Sequence, residues 1–282
     1  KYITDGQWIT DPNNNLIEND GQGNINSVVF FPDFQFHLPA YRDARKVYVT
    51  GTFNNWNRRD LRMQKVNGGW SLPVYLRDGT YSYKFIVDDQ WITDPSNPFT
   101  RTDASGNTNS VIGFGETFVF RLQGFTNASH VQIAGNFNNW DNNELIMEKT
   151  AGGWQLPYQL SPGNYEYKFI VDGEWMNDPM NPFTIGTGNF INSCLAFKAN
   201  HIFSFDGLSD ASEVKITGSF NNWSKDGYKM VKKDGKWTFP IYLSKGKHLY
   251  KLIVDGKWII DPANPLWEDN EYGTGNSILW IN

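Results

Sequence analysis

The 282 residues carry 25 basic and 30 acidic side chains, for a formal net charge of −5 with no basic cluster. Nucleic-acid binding, which depends on cations near phosphates, is set aside on that ground. Aromatics make up 16% of the chain and tryptophan supplies 12 residues, more than small sandwich cores need, so some rings are expected to face outward and to meet a ligand.

In chain order the first element is a fragment. Residues 1–32 read Lys1-Tyr2-Ile3-Thr4-Asp5-Gly6-Gln7-Trp8-Ile9-Thr10-Asp11-Pro12, which matches Lys84 to Pro95, and Gly23-Asn24-Ile25-Asn26-Ser27, which matches Gly106 to Ser110. This is the back half of a unit that then occurs three times in full, at 33–115, 116–199 and 200–282. The phrase Phe-Asn-Asn-Trp ends at Trp56, Trp140 and Trp223, 84 and 83 residues apart, and Tyr-Lys-Phe/Leu-Ile-Val-Asp-x-x-Trp ends at Trp91, Trp175 and Trp258 with the same step. A repeat of this length is a small domain, because solenoid units run to about 20–50 residues. Three copies and a remnant fill the chain and leave no stretch for a catalytic domain of ordinary size. The front half that would complete 1–32 is expected from residues upstream of Lys1 or from another chain, since a half sandwich exposes its apolar face and its strand edges.

Within the first full copy, alternation and β-branched or aromatic residues place strands near Phe34–Leu38, Lys46–Gly51, Trp70–Leu76, Thr80–Asp88, Gln90–Thr93 and Ser110–Phe114. Turns fall at Asn67-Gly68-Gly69 and Arg77-Asp78-Gly79. No helix of useful length fits, nor does any run of 18 apolar residues that could span a membrane. The expected fold class is all-β: tandem immunoglobulin-like β-sandwiches, three complete modules plus a C-terminal half module at the N-terminus. The last strand of one copy runs almost directly into the next, so limited inter-module angles are expected.

Alternation along Tyr81–Val87 puts Tyr81, Tyr83, Phe85 and Val87 on one face and Ser82, Lys84 and Ile86 on the other. Lys84, Lys168 and Lys251 therefore point outward if the aromatics point in, and the plain reading of each is a solvated strand residue. Trp56, Trp140 and Trp223 begin a loop after a strand-ending glycine, where a ring either clasps the sandwich edge or binds a ligand. Trp91, Trp175 and Trp258 precede x-x-Asp-Pro, a turn signal in which Asp94, Asp178 and Asp261 cap backbone groups. Asp88, Asp172 and Asp255 also read as turn residues, and Trp70, Trp154 and Trp237 as core or edge packing. Two flat rings, an ammonium and an amide match a sugar, whose C–H patches stack on aromatic faces while its hydroxyls pair with polar groups. Catalytic signatures are missing: His37, His130, His201 and His248 occupy unmatched positions, and no nucleophile elbow, phosphate loop or calcium loop appears. Cys194 has no partner for an internal disulfide and reads as a small buried hydrophobe, which leaves the compartment open.

These phrases, taken in order, resemble carbohydrate-binding modules of family 48, the glycogen-binding domain type found in the β-subunit of AMP-activated protein kinase and in branching and debranching enzymes. The resemblance covers essentially all of 33–282. It implies a β-sandwich that binds α-1,4-glucan through two tryptophans, the strand lysine and the asparagine of a late Asn-Ser pair. Carried over, the sites are Trp56, Lys84, Trp91 and Asn109; Trp140, Lys168, Trp175 and Asn192; Trp223, Lys251, Trp258 and Asn276. The remnant keeps Lys1, Trp8 and Asn26. The family's threonine place holds Asn107, Phe190 and Thr274, and its leucine place Ser105 or Gly106, Gly188 and Tyr272, so the third copy fits the pattern best. The resulting expectation is a non-catalytic α-glucan binder with no cofactor or metal, whose weak sites act multivalently. The alternatives are a structural repeat segment of an extracellular fibre and the targeting region of a larger glucan-acting enzyme.

Overall fold

The structure is a computed structural model and describes all residues except 14–16, 20–23, 28 and 30; the expected correspondence of Gly23 lies outside the described residues. By internal contacts the chain divides into two compact units, residues 1–77 with 84–96, and residues 78–83 with 97–282. Almost everything regular is antiparallel strand, as the alternating sequence requires.

In the first unit, Phe34–Leu38, Gly69–Val74 and Gln64–Val66 form one small sheet, and Val47–Gly51 pairs with Leu61–Arg62. The strand Gly79–Val87 gives this unit its second half, which forms a hairpin with Gln90–Ile92. Phe36, Leu38, Val47, Val49, Trp70, Phe85 and Val87 are buried, with Phe36 packing edge-on to Phe85. The remnant forms two hairpins, Tyr2–Thr4 with Gln7–Ile9 and Ile17–Asn19 with Ile25–Ser27. Tyr2, Ile3 and Trp8 stand exposed.

In the second unit, Thr108–Phe114 pairs with Thr100–Thr102 on one side and with the start of Gly79–Val87 on the other. Each later copy stacks two sheets around an apolar core. In copy two, Glu116–Gln123, Gly153–Leu160 and Glu148–Thr150 face Val131–Gly135, Gly163–Val171 and Asn192–Phe197, enclosing Phe120, Ile133, Leu145, Trp154 and Phe169. Copy three repeats the plan with His201–Phe205, Lys236–Ile241 and Val231–Lys233 against Val214–Gly218, Gly246–Val254 and Gly275–Ile281, around Phe203, Ile216, Trp237 and Leu252. The two copies share a sheet of eleven strands, because Thr184–Ile185 of copy two pairs with Tyr228–Lys229 of copy three.

Alternation holds on the core face, where Tyr83, Phe85 and Val87 are buried, but not on the outer face. Ser82 is buried there because Glu144 of the next copy accepts its hydroxyl proton at 3.0 Å, and Ile86 is buried on the face it shares with the opposed Trp91. Trp70, Trp154 and Trp237 are core residues, each indole donating to a loop carbonyl (of Tyr41, Phe125 and Leu208) at 2.9–3.0 Å. Asp88, Asp172 and Asp255 accept backbone N–H groups of the loop that leads into Val47–Gly51, Val131–Gly135 or Val214–Gly218, so they clasp structure. Asp178 and Asp261 accept from the Tyr167 and Tyr250 hydroxyls at 2.7 and 2.6 Å. Asp11 in the remnant accepts from a different tyrosine, Tyr2, which stands at the place of Phe85, at 3.3 Å. Cys194 is a buried free thiol.

Candidate functional site

The first tryptophan of each set is held by a loop whose geometry comes from the Asn-Asn pair. A short 3₁₀ turn (Thr52–Asn54, Asn136–Asn138, Ser219–Asn221) leaves the sheet at a glycine. A Cβ on Gly135 or Gly218 would lie 2.4 or 2.2 Å from the carbonyl oxygen of Glu166 or Leu249, so only glycine fits that exit. The first asparagine then ties the turn: Asn54, Asn138 and Asn221 accept the glycine N–H at 3.0, 3.0 and 2.9 Å. Asn54 and Asn138 also donate to the carbonyls of Asn57 and Asp141 at 3.1 and 2.8 Å. The second asparagine and the tryptophan both take the left-handed backbone conformation, with φ 51° and 57° at Asn55 and Trp56, 53° and 60° at Asn139 and Trp140, and 53° and 56° at Asn222 and Trp223. Such a conformation is costly for a bulky side chain. Each tryptophan N–H closes the turn on the glycine carbonyl at 2.8–2.9 Å.

Across the sheet, the second tryptophan sits in a short hairpin arm, opposed to Ile86, Ile170 or Ile253. The two indoles meet in copies one and two, with centroids 6.3 and 6.4 Å apart and planes at 44° and 41°. They form an open V rather than a stack. Trp91, Trp175 and Trp258 keep 41%, 43% and 44% of their surface, and Trp56, Trp140 and Trp223 are half-buried, so no neighbouring copy seals the pair.

In the third copy Trp223, Lys251, Trp258 and Asn276 border a common cavity of about 750 Å³, together with Asn270, Tyr272 and Thr274. Lys251 is 8% exposed, not the solvated residue of the plain reading, and donates to the Thr274 hydroxyl at 2.7 Å. Burial holds its ammonium below the ordinary lysine value. Asn276, also buried, lines the cavity and accepts from Asn270 at 3.1 Å through its amide oxygen, so the hydrogen bond uses its acceptor and not its NH₂ donor. Tyr272 is 80% exposed at the rim.

In copy two, Trp140, Lys168 and Trp175 recur, but the Asn192 amide is already donated to Glu166 at 2.9 Å, and Phe190 stands exposed where Thr274 sits in copy three. In copy one, Trp56, Lys84 and Trp91 lie in the first unit and Asn109, buried, in the second. Its ring pair has an extra neighbour, the Arg58 guanidinium 5.5 Å from the Trp91 centroid. Among the described residues no cluster of three or more His, Cys, Asp or Glu side chains could hold a metal, and no helix is long and apolar enough to cross a membrane. Sequence reasoning missed the tying role of Asn54, Asn138 and Asn221; their fixed place three residues after a strand-ending glycine was the available signal.

Fold and surface together define a protein of tandem β-sandwich modules, each carrying a partly exposed pair of tryptophans, with a lysine lining the same cavity as the pair in the third. The chain belongs to the family described as the glycogen recognition site of AMP-activated protein kinase, whose model matches residues 39–120, 116–204 and 199–282. It is similar to the chloroplastic protein FLOURY ENDOSPERM 6 of Oryza sativa subsp. japonica, 40% identical over 62 residues, 22% of this chain and 12% of that protein. The chloroplastic PTST homolog 2 of Arabidopsis thaliana is 38% identical over 68 residues, 24% and 13% of the two chains. The 5'-AMP-activated protein kinase subunit beta-1 of Mus musculus is 31% identical over 144 residues, 49% and 50%. The chain thus spans half or less of the length of these relatives.

Proposed function

We propose that the chain is a non-catalytic binder of α-1,4-glucan, a glycogen- or starch-like polysaccharide, and that its three tryptophan-pair sites act together. The observation that carries the reading is the copy-three cavity, in which two indole faces, a buried ammonium and a buried carboxamide converge on one space the size of a small oligosaccharide. Membership of a glycogen-recognition family supports it. Each site is open and offers few groups, so the ordering cost of a flexible ligand keeps single-site affinity low. Several sites on one chain raise binding to a polymer by an effective-concentration factor of about 10²–10⁴. Trp56, Lys84, Trp91 and Asn109, Trp140, Lys168, Trp175 and Asn192, and Trp223, Lys251, Trp258 and Asn276 are the proposed contacts, within modules 33–115, 116–199 and 200–282. Affinity electrophoresis through glycogen or amylopectin gels tests this: wild type is expected to be retarded and Trp91→Ala/Trp175→Ala/Trp258→Ala to run as in a plain gel. Equal mobility of the two proteins in glycogen would overturn it.

A further inference from the structure

Strand pairing fixes which side chains share a face, because opposed residues of an antiparallel ladder project to the same side. In copy two, Tyr167 opposes Ser193 and Glu166 opposes Cys194, so Lys168, Asn192 and Cys194 stand on the face away from the Tyr167 and Phe169 core. Asn192 opposes Ile185, and Ile185 opposes Tyr228 across the joint. Tyr228 opposes Ile216, which opposes Leu252, and these three are core residues of copy three. The face that bears the copy-two site therefore becomes the face that bears the copy-three core. Lys251 precedes Leu252 and projects from the other face. Cys194 corroborates the crossover, since it shares a face with Lys168 yet belongs to the apolar cluster of copy three.

Resting on the glucan reading of the sites, we infer that copies two and three hold two separate glucan segments and so bridge chains, instead of gripping one linear chain that lies along both. The lysine-bearing strands are five strand spacings apart in the shared sheet, about 24 Å at the usual separation. Strand twist of about 20–25° per step turns the two outward directions by about 100–125°, leaving about 55–80° between them. The sites diverge; they do not share a facet. Along the sheet from Lys168 toward copy three, the second sheet of copy three is stacked on the same face, and from Lys251 toward copy two the second sheet of copy two is. Stacked sheets stand about 10 Å apart, so each forms a wall between one site and the other.

The joint also holds this angle. Asn164 donates to the Tyr242 carbonyl at 2.8 Å and accepts the Tyr242 N–H at 2.9 Å, and Phe183 packs edge-on to Phe239 at 5.5 Å.

The test uses the full chain with copy one silenced by Trp91→Ala, titrated in a calorimeter with maltoheptaose and with a long linear amylose fragment, and mixed with glycogen in a turbidity assay. The expected result is two ligand molecules per protein for either probe, similar per-site affinity for both, and flocculation of glycogen that disappears when Trp175→Ala or Trp258→Ala is added. One long fragment per protein, bound about 10²–10⁴-fold tighter than maltoheptaose and dependent on both tryptophans, would overturn the bridging inference and leave the glucan reading standing. One maltoheptaose per protein would overturn it by showing one site blind. No binding of either probe would remove the glucan reading of both copies, and the inference with it.

Discussion

Lys251 is a residue whose burial costs the fold stability and which lines the proposed copy-three site. Its ammonium is buried beside Trp223 and Trp258 with a single described hydrogen bond, to Thr274, and burial lowers its pKa. A base whose folded pKa lies below its unfolded value binds protons more weakly in the fold. The cost is therefore complete below the folded pKa, and it is relieved as pH rises from there toward the unfolded value near about 10.4. At pH 7 the cost is in force. Lys251→Met, similar in length and free of charge, is expected to leave the melting temperature unchanged or higher at neutral pH while weakening the copy-three site. A charge-assisted hydrogen bond is worth about 1.5–3 kcal/mol, so maltoheptaose affinity should fall about 10–150-fold in a chain whose other sites are silenced by Trp91→Ala and Trp175→Ala. Calorimetric titration and a thermal melt of the same sample check both halves. A drop in melting temperature with intact binding would mean the lysine serves the core.

The element that shapes each proposed site is the strand-exit turn, and here the asparagine that ties the turn matters as much as the ring it presents. Asn138 holds both ends of its turn, accepting from Gly135 and donating to Asp141, and keeps Trp140 in a left-handed conformation an isolated chain would avoid. Asn138→Ala leaves the buried Gly135 N–H without its acceptor, at about 1–3 kcal/mol. The expected outcome is a copy-two site that loses glucan affinity along with stability, whereas Asn139→Gly, which suits the left-handed position, leaves both near wild type. Denaturant melts and gel retardation of the full chain with copies one and three silenced by Trp91→Ala and Trp258→Ala separate the two variants. The long strands were legible in the sequence because Tyr83, Phe85 and Val87 and their counterparts alternate over nine residues. Leu61–Arg62, Thr100–Thr102 and Thr184–Ile185 were not, because two or three residues carry no period, and Thr184–Ile185 pairs on one side with Tyr228–Lys229 far along the chain. The burial of Ser82 was likewise hidden, since the residue that covers it, Glu144, is 62 positions away. The recurring tryptophans and lysine of the proposed sites are visible in the repeat itself. What occupies Asn192, a bond to Glu166, could not, because Glu166 replaces Ser82 and Leu249 of the other copies and only the structure brings it across.

On the scale of the whole molecule, the same small device joins successive copies, although the surrounding chemistry differs. Thr80 and Asn164, both just after the glycine that opens their strand, bond both backbone groups of Gln159 and Tyr242 in the following copy. Around Asn164 the joint is a strand ladder with apolar filling, Phe183, Ile185 and Cys194 entering the copy-three core. Around Thr80 it is polar: Arg101 lies 5.8 Å from the Tyr158 ring centroid, Glu144 accepts from Ser82, and Arg101 Nη1 and Glu144 Oε2 have no hydrogen-bond partner among the described residues. Burial pushes the Glu144 carboxyl above the ordinary range, and the Ser82 hydroxyl and the Arg101 charge pull it partly back. An acid with a raised folded pKa holds its proton more tightly in the fold than in the unfolded chain. Its contribution is fully present below the unfolded value of about 4.3 and is lost as pH rises through the folded value. Glu144→Gln removes the ionisation and keeps the acceptor for Ser82. It should therefore raise stability at pH 7 by about 1 kcal/mol, seen as about 2–4 °C in the melting transition, and flatten the decline in stability above the unfolded value of about 4.3. Arg101→Met removes the cation that offsets the buried carboxylate, so the folded value rises further and the decline should extend to higher pH and reach a larger total loss. Parallel pH dependences for wild type and both variants would place the Glu144 carboxylate in water, outside the joint.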